Sequence, residues 1–527
     1  MKHVLQRLKQ FTFQGVGVLV FCLTAGWASA QAWQVPLERR VTENIEFSLS
    51  SKDTIVQTAL KPFHANQFKQ STVPTLQVDD RRYFSDTEAR LFRNHMLSIA
   101  ENDFELYIDV VLDLDLGYDF GDTSNWQSDR EVQIFNNTRG AAVYGRLGKY
   151  VSFHAAVFEN QSQFPFWLYN YTDSLGVIPG QGRFKELESN ARDYNSSNGI
   201  VSVEATRWLQ IHFGHGKHFI GHGYRSMLLS DVVFNYPFIR LQAETHNKKL
   251  RYVNTHAELH SLDRLPIGEV PEALFQRKGF KFSYLSYMPH PRIEVGLYEG
   301  VIFQRWDSTG TQSYPATFYQ PLPFVATAVH GLNNTQNAVL GANAKIKASD
   351  NLFFYGQVVA DQWEQRFTGF QAGFVWNNLL VRNLGLRVEY NEGGQGIYSH
   401  AIGLQNYTHM NQGLAHPLGT NFKEYIIILQ HRYKRFWSEW RGIHQVHDGG
   451  TRGNVAATPD AILGAEHQPG TTLISDLRLG YTVNPTSNMH AMLGWTFRDR
   501  ESETGHLVSS MVYVAFRVAL FNRYYDI

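Results

Sequence analysis

The chain has 527 residues, and its 48 Lys and Arg balance its 48 Asp and Glu, so no global field favours nucleic acid. The one cysteine, Cys22, sits near the start, which excludes disulfides, thiolate metal sites and cysteine nucleophiles from the rest. Aromatics make up 14 %, yet past the leader no segment has the roughly 18 consecutive apolar residues of a membrane helix.

Residues 1–30 read as a secretory signal peptide. Lys2, Arg7 and Lys9 give a basic start, Val16 to Leu23 an apolar run too short to span a bilayer, and Ala28-Ser29-Ala30 a cleavage site. Residues 31–103 lack long alternation and are expected to be a plug inside, or a periplasmic tail beneath, the domain that follows. Within them Ser85 and Glu88 make a capping box. Phe92, Met96, Ile99 and Ala100 then recur at helical spacing, which predicts a helix over 86–101 leading into the first strand.

That strand, 104–120, is the most informative stretch. Phe104, Leu106, Ile108, Val110, Leu112, Leu114, Leu116, Tyr118 and Phe120 occupy the even positions, while Asp109, Asp113, Asp115 and Asp119 lie among the odd ones. Successive strand side chains point to opposite faces, so one face is apolar and the other acidic. The length suits a bilayer-crossing strand, which needs roughly 9–11 residues, with an extension beyond. Similar segments follow at 132–147, 150–160, 198–206, 207–216, 236–245, 250–261, 278–287, 292–303, 336–347, 352–363, 368–378, 384–393, 423–433, 436–447, 471–483, 489–500 and 506–520. Connections after even-numbered strands are tight and most of those after odd-numbered strands are long, the asymmetry of an outer-membrane barrel. The predicted fold is all-β: an antiparallel transmembrane β-barrel of about eighteen strands over 104–527, with a small N-terminal helical plug segment. Asp109, Asp113, Asp115, Arg387 and Arg478 are predicted to face its lumen.

Three segments carry a family resemblance. Gly214-His215-Gly216-Lys217-His218-Phe219-Ile220-Gly221-His222-Gly223-Tyr224-Arg225-Ser226-Met227-Leu228-Leu229-Ser230-Asp231, then Leu414 to Phe422, then Leu520 to Ile527, resemble stretches of the Wzi-type capsule-assembly proteins, in the branch that includes gliding-motility barrels. The resemblance implies a plugged outer-membrane barrel that binds surface polysaccharide and holds capsule on the cell; in the motility branch it implies an adhesion-related role. The implied partners are surface polysaccharide, outer-membrane lipid, and the barrel assembly machinery acting on the C-terminal strand.

The glycine-rich segment leaves a strand without opening a helix, so it is not a phosphate loop. It is expected to fold over the lumen, with Gly where φ is positive. Lys217, Tyr224 and Arg225 become candidate ligands for an anionic sugar; the alternative for the two cations is ion pairing to Asp109, Asp113 and Asp115. Sugar rings need flat apolar faces beside polar rims. Trp126, Trp167, Tyr169, Tyr171 and Trp306, with Tyr314, Phe318 and Tyr319, lie in the long connections, as binding platforms or as packing and interfacial aromatics. Of His212, His215, His218 and His222, the first and third would share a strand face and His215 would oppose them, so hydrogen-bonded loop histidines are the expectation, with no metal or other cofactor. Neither a G-x-S-x-G elbow nor H-E-x-x-H occurs, so no enzyme activity is expected. A diffusion channel is the main alternative function.

Overall fold

The alternation of the first strand becomes a wall. On Phe104–Asp119, Leu114, Leu116 and Tyr118 are 42, 65 and 40 % exposed on one face, while Asp109 and Asp113 are 3 % exposed on the other. An apolar face open to this extent suits lipid, not water. The computed structural model describes residues 34–50, 55–64, 67, 85–121, 132–187, 190–264, 275–307, 310–330, 336–361, 367–449, 469–503 and 505–527. The leader 1–30 and Trp126 lie outside the described residues.

Eighteen antiparallel strands close into a barrel. In chain order they are β1 (Phe104–Asp119), β2 (Gln133–Leu147), β3 (Val151–Gln163), β4 (Arg192–Thr206), β5 (Leu209–Gly216), β6 (Tyr236–Glu244), β7 (Leu250–Arg264), β8 (Phe275–His290) and β9 (Ile293–Gln304). The second half comprises β10 (Asn337–Lys347), β11 (Leu352–Asp361), β12 (Phe367–Trp376), β13 (Leu384–Gly393), β14 (Phe422–Tyr433), β15 (Phe436–His447), β16 (Gly470–Asn484), β17 (Met489–Ser502) and β18 (Gly505–Val518). All eighteen predicted strands are present, with ends shifted by a few residues. The seam joins β18 to the upper part of β1, from Met511 opposite Asp119 to Arg517 opposite Asp113.

Two predicted ends are corrected. The helix after Ser85 is α2, but it spans only Asp86–Phe92, beneath the cap Ser85 provides to the Glu88 amide at 3.2 Å. Leu97–Glu101 is instead a strand pairing with the start of β1, Leu97 opposite Ile108. The edge of β1 that β18 leaves free offers ladder partners, and Asp109 accepts from the Met96 amide at 3.0 Å. The last strand stops at Val518, and Ala519–Ile527 turns into the interior: Leu37 bridges to Phe521, and Ile527 packs with Phe164 and Trp167.

The interior also receives α1 (Arg39–Ser50). Its apolar residues Val41 and Ile45 pack on Phe63 and Val35, and Glu38 caps the Val41 amide at 3.0 Å. Arg39 pairs with Glu439 of β15 at 2.9 Å and Glu43 with Arg387 of β13 at 2.9 Å. From the same segment, the Thr58 and Ala59 amides donate to Glu294 of β9.

Candidate functional site

The glycine-rich segment crosses the barrel. It leaves β5, returns as β6, and between them reaches β14 and β15, each nine places away in a ring of eighteen and so on the opposite wall. Two glycines permit the crossing. Gly221 has φ 144°, and a Cβ on it would lie 2.4 Å from Gln357 Nε2. A Cβ on Gly223 would lie 2.6 Å from a Glu389 oxygen. That oxygen accepts from the Tyr224 amide at 2.6 Å, and its partner oxygen from the Arg225 amide at 3.0 Å. Gly214, Gly216 and Gly223 do not have positive φ.

Arg225 is fully buried. Its guanidinium donates to Glu424 of β14 at 3.1 Å, to the Asp526 carboxylate at 3.3 Å and to the Asp526 carbonyl at 2.6 Å. Arg441 of β15 donates to Asp526 at 2.7 Å, to the Tyr224 hydroxyl at 2.7 Å and to Glu439 at 2.8 Å. The Tyr224 hydroxyl also donates to Asp526. His416 lies 2.8 Å from Glu424. Crossing segment, tail, helix and wall thus share one charge network. Burial alone would depress the Arg225 pKa, but Asp526 and Glu424 more than offset it and hold it above the ordinary value. Burial would likewise raise Asp526, and Arg225 and Arg441 hold it below the usual carboxylate range.

Of the alternatives set out for the two cations, ion pairing is realised for Arg225, with other partners than expected. Asp113 meets Arg517 at 3.2 Å and Arg523 at 2.5 Å, Asp115 meets Arg523 at 3.2 Å, and Asp109 meets His95 at 2.6 Å. Lys217 donates to the carbonyls of Gly180 at 2.7 Å and Asp231 at 3.2 Å. Burial brings it down to about 8, against the pull of Asp231. Arg478 pairs with Asp476 on its own strand at 2.6 Å.

The aromatic candidates separate into three settings. Trp167 and Tyr171 lie on α3 (Phe166–Leu175) and are buried in a cluster at the long-loop end, with Arg498 4.4 Å over the Trp167 ring. Tyr169, on the opposite side of α3, is half-buried; it donates to Glu186 at 2.5 Å and carries Arg192 4.1 Å over its ring. Burial, then Glu186, push its hydroxyl up to about 12. Trp306 begins a two-residue pairing, Trp306–Asp307 with Gly310–Thr311, in the β9–β10 connection.

Residues 314–327 of that connection lie against the outside of the barrel. Phe280, Phe282 and Tyr284 of β8 face the interior core, so Gly279 and Lys281 face out. A Cβ on Gly279 would meet the Tyr314 ring at 2.6 Å, and Lys281 donates to the Thr317 carbonyl at 3.3 Å. Outward Glu299 accepts from the Phe324 amide at 2.8 Å and from the Thr327 hydroxyl at 2.6 Å. Tyr314 and Phe318 are therefore wall-packing residues. The sequence carried a signal for this. On β7 the outward positions are Tyr252, Asn254, His256, Glu258 and His260, a polar stripe unsuited to lipid.

Among the described residues no group of three or more His, Cys, Asp or Glu could hold a metal ion. The histidines are tied individually: His212 to Ser202 at 2.8 Å, His215 to the Ser197 carbonyl at 3.1 Å and His218 to Tyr236 at 3.0 Å. Sequence reasoning missed Asp526, Glu424, Arg441 and Glu439. Asp526 belongs to a quoted motif but lies beyond the predicted last strand, 506–520, and has no predicted role.

No family model matches the chain, and no curated protein matches it in sequence. Solved structures do resemble it in fold. One is Wzi of Escherichia coli, described as an outer-membrane protein involved in group 1 capsule assembly and as a carbohydrate-binding β-barrel. It is 11 % identical, covers 92 % of this chain and 98 % of its own, and has a TM-score of 0.53. Others are Pseudomonas aeruginosa OpdK with vanillate (10 % identity, 78 % and 98 % coverage, TM-score 0.43) and Acinetobacter baumannii OccAB2 (11 %, 78 % and 97 %, 0.40). At these identities the likeness is one of fold. The chain is an outer-membrane-type β-barrel of Wzi-like fold, which points to the outer membrane as its location.

Proposed function

We propose that this protein is a closed outer-membrane barrel that binds surface polysaccharide without catalysing a reaction. The observation that carries the reading is the crossing at 221–231, fastened by buried ion pairs of Arg225 to Glu424 of the opposite wall and to Asp526 of the tail. A diffusion channel needs an open water path, and removing one partner of a buried pair costs about 3–5 kcal/mol, so the crossing is not a loose gate. The description of Wzi as a carbohydrate-binding barrel supplies the ligand class. Tyr169, with its exposed neighbours Asp173 and Glu186, offers a ring and polar rim at the long-loop end. Purified protein in planar bilayers is expected to show no large steady conductance, and a glycan screen in detergent is expected to return binders. A large steady conductance together with an empty screen would establish the channel reading instead.

A further inference from the structure

The short-turn end of the barrel, periplasmic in an outer-membrane barrel, holds a cavity of about 730 Å³. That lies within the 300–1,000 Å³ typical of small-ligand sites. One side is α1, through Arg40, Glu43 and Phe47; the opposite sides are the first or last residues of β11 to β17.

Its charge is unbalanced. Arg40, Arg387, Arg432, Lys434 and Arg435 line it, against Glu43, Glu46 and Glu439. Each of these carboxylates is already held by a cation: Glu43 by Arg387 at 2.9 Å, Glu46 by Lys61 at 2.9 Å, and Glu439 by Arg39 at 2.9 Å and Arg441 at 2.8 Å. The opposite wall is different. Among the described residues the side chains of Gln430, His431 and Arg432 have no hydrogen bond or ion pair, and Lys434 has only the Tyr433 ring, 5.4 Å away. Lys434 is exposed at the tight turn between β14 and β15, with φ 55°, and lines the cavity.

Flat apolar groups complete the wall. Trp437 has Arg40 4.0 Å over its ring and its indole nitrogen donates to His490 at 3.2 Å; Phe353 and Phe47 line the cavity with it. Neighbouring amides, Asn377, Asn383 and Asn488, add planar donor and acceptor groups. Free cations beside aromatic faces and amides suit a ring that carries hydroxyls and a carboxylate.

We infer that this cavity is a binding site for an anionic glycan segment presented from the periplasmic side, with Arg432 and Lys434 receiving the acidic groups and the amides of Asn377 and Asn383 its hydroxyls. The inference rests on the polysaccharide-binding reading and extends it to a second, inward-facing site.

The test uses the full chain in detergent micelles, with tetragalacturonate as the acidic probe and maltotetraose as a neutral probe of equal length. Calorimetry is expected to show salt-sensitive binding of tetragalacturonate and at least tenfold weaker binding of maltotetraose. Arg432→Gln with Lys434→Gln is expected to weaken the acidic probe at least tenfold, and Lys434→Gln alone, at an exposed turn where folding is safe, severalfold. Arg207→Gln, at an exposed cation of the β4–β5 turn outside the cavity, is expected to leave it unchanged. Unaltered affinity in the folded Lys434 and Arg432 variants, or an equal loss with Arg207→Gln, would overturn the inward site while leaving polysaccharide binding in place. Equal affinity for both probes would overturn its anionic character. An empty glycan screen with wild-type protein would remove both readings.

Discussion

Opposite walls of one lumen bury polar groups in two different ways. Around β13–β15, Arg225, Glu424, Asp526, Arg441, Glu439 and Arg39 alternate in sign, and each charge meets an opposite one. Around β5 and β6 the guanidinium of Arg240 stands among imidazoles, while Arg251 of β7 is paired with Glu244 at 2.5 Å. Arg240 donates to His64 Nε2 at 3.3 Å, while its Nε and Nη1 find no partner among the described residues. The His64 ring lies 4.5 Å from that of His212, which in turn meets Ser202. The first wall is cross-linked by charge and fastens three separate segments. The second relies on neutral rings, which can accept from a cation without adding charge. The two walls should therefore fail under different challenges.

The sharpest break is Glu424→Gln. It leaves Arg225 facing only Asp526, and His416, Gln445 and Asn391 lose their charged acceptor. A loss of about 3–5 kcal/mol is expected, read as a lower urea midpoint for unfolding in lipid vesicles. A change below about 1 kcal/mol would mean that the crossing segment is not held by this network.

Acid should weaken the walls through different groups. Burial, then Arg240, hold His64 well below an ordinary imidazole, and burial and Arg240 do the same to His218. A folded pKa below the unfolded one means that the unfolded chain takes up the proton first. Stability from these rings is thus present above about pH 6.5 and falls as pH drops toward the folded value, by up to about 1.4 kcal/mol per unit for each ring. Asp526, held below the usual carboxylate range, keeps its contribution until pH falls below about 4. Between pH 6.5 and 5.5 the imidazole wall should weaken through His64 and His218, and the charge wall through His416, whose pKa burial lowers against the pull of Glu424; His64→Gln should flatten the slope by up to about 1.4 kcal/mol. An unchanged slope would mean that His64 titrates alike in both states.

Much of the barrel was legible because its signal is local. Alternation over Phe104–Asp119 needs no partner to be read, and the tight turns mark strand ends by themselves. The helix that stops at Phe92 was not legible, because its end depends on an edge of β1 left free by β18, more than 400 positions away in sequence. The charge network was hidden for the same reason. Arg225 and Asp526 are separated by 301 positions, and nothing local to either names the other. The segment around Gly221 and Gly223 was recognisable as special, but its cations looked available for a ligand when the opposite wall already holds one of them. The outer strap over Lys281 and Glu299 was legible in principle, since β7 carries polar groups on the face that should meet lipid.

The smallest effect bears on how the neutral wall is ordered. Ser202 Oγ lies 2.8 Å from His212 Nδ1, and both are buried. His212 also stands directly opposite Arg240 in the β5–β6 pairing, so its orientation fixes which ring edge the guanidinium meets. Ser202→Ala removes one neutral hydrogen bond and leaves little space, for a cost of about 1 kcal/mol. Because the bond orients a ring and neutralises no charge, that cost should not vary between 50 mM and 500 mM salt, and Ser202→Thr should recover most of it. A loss as large as that of Glu424→Gln, or no recovery with threonine, would mean that the two walls are not built on different principles.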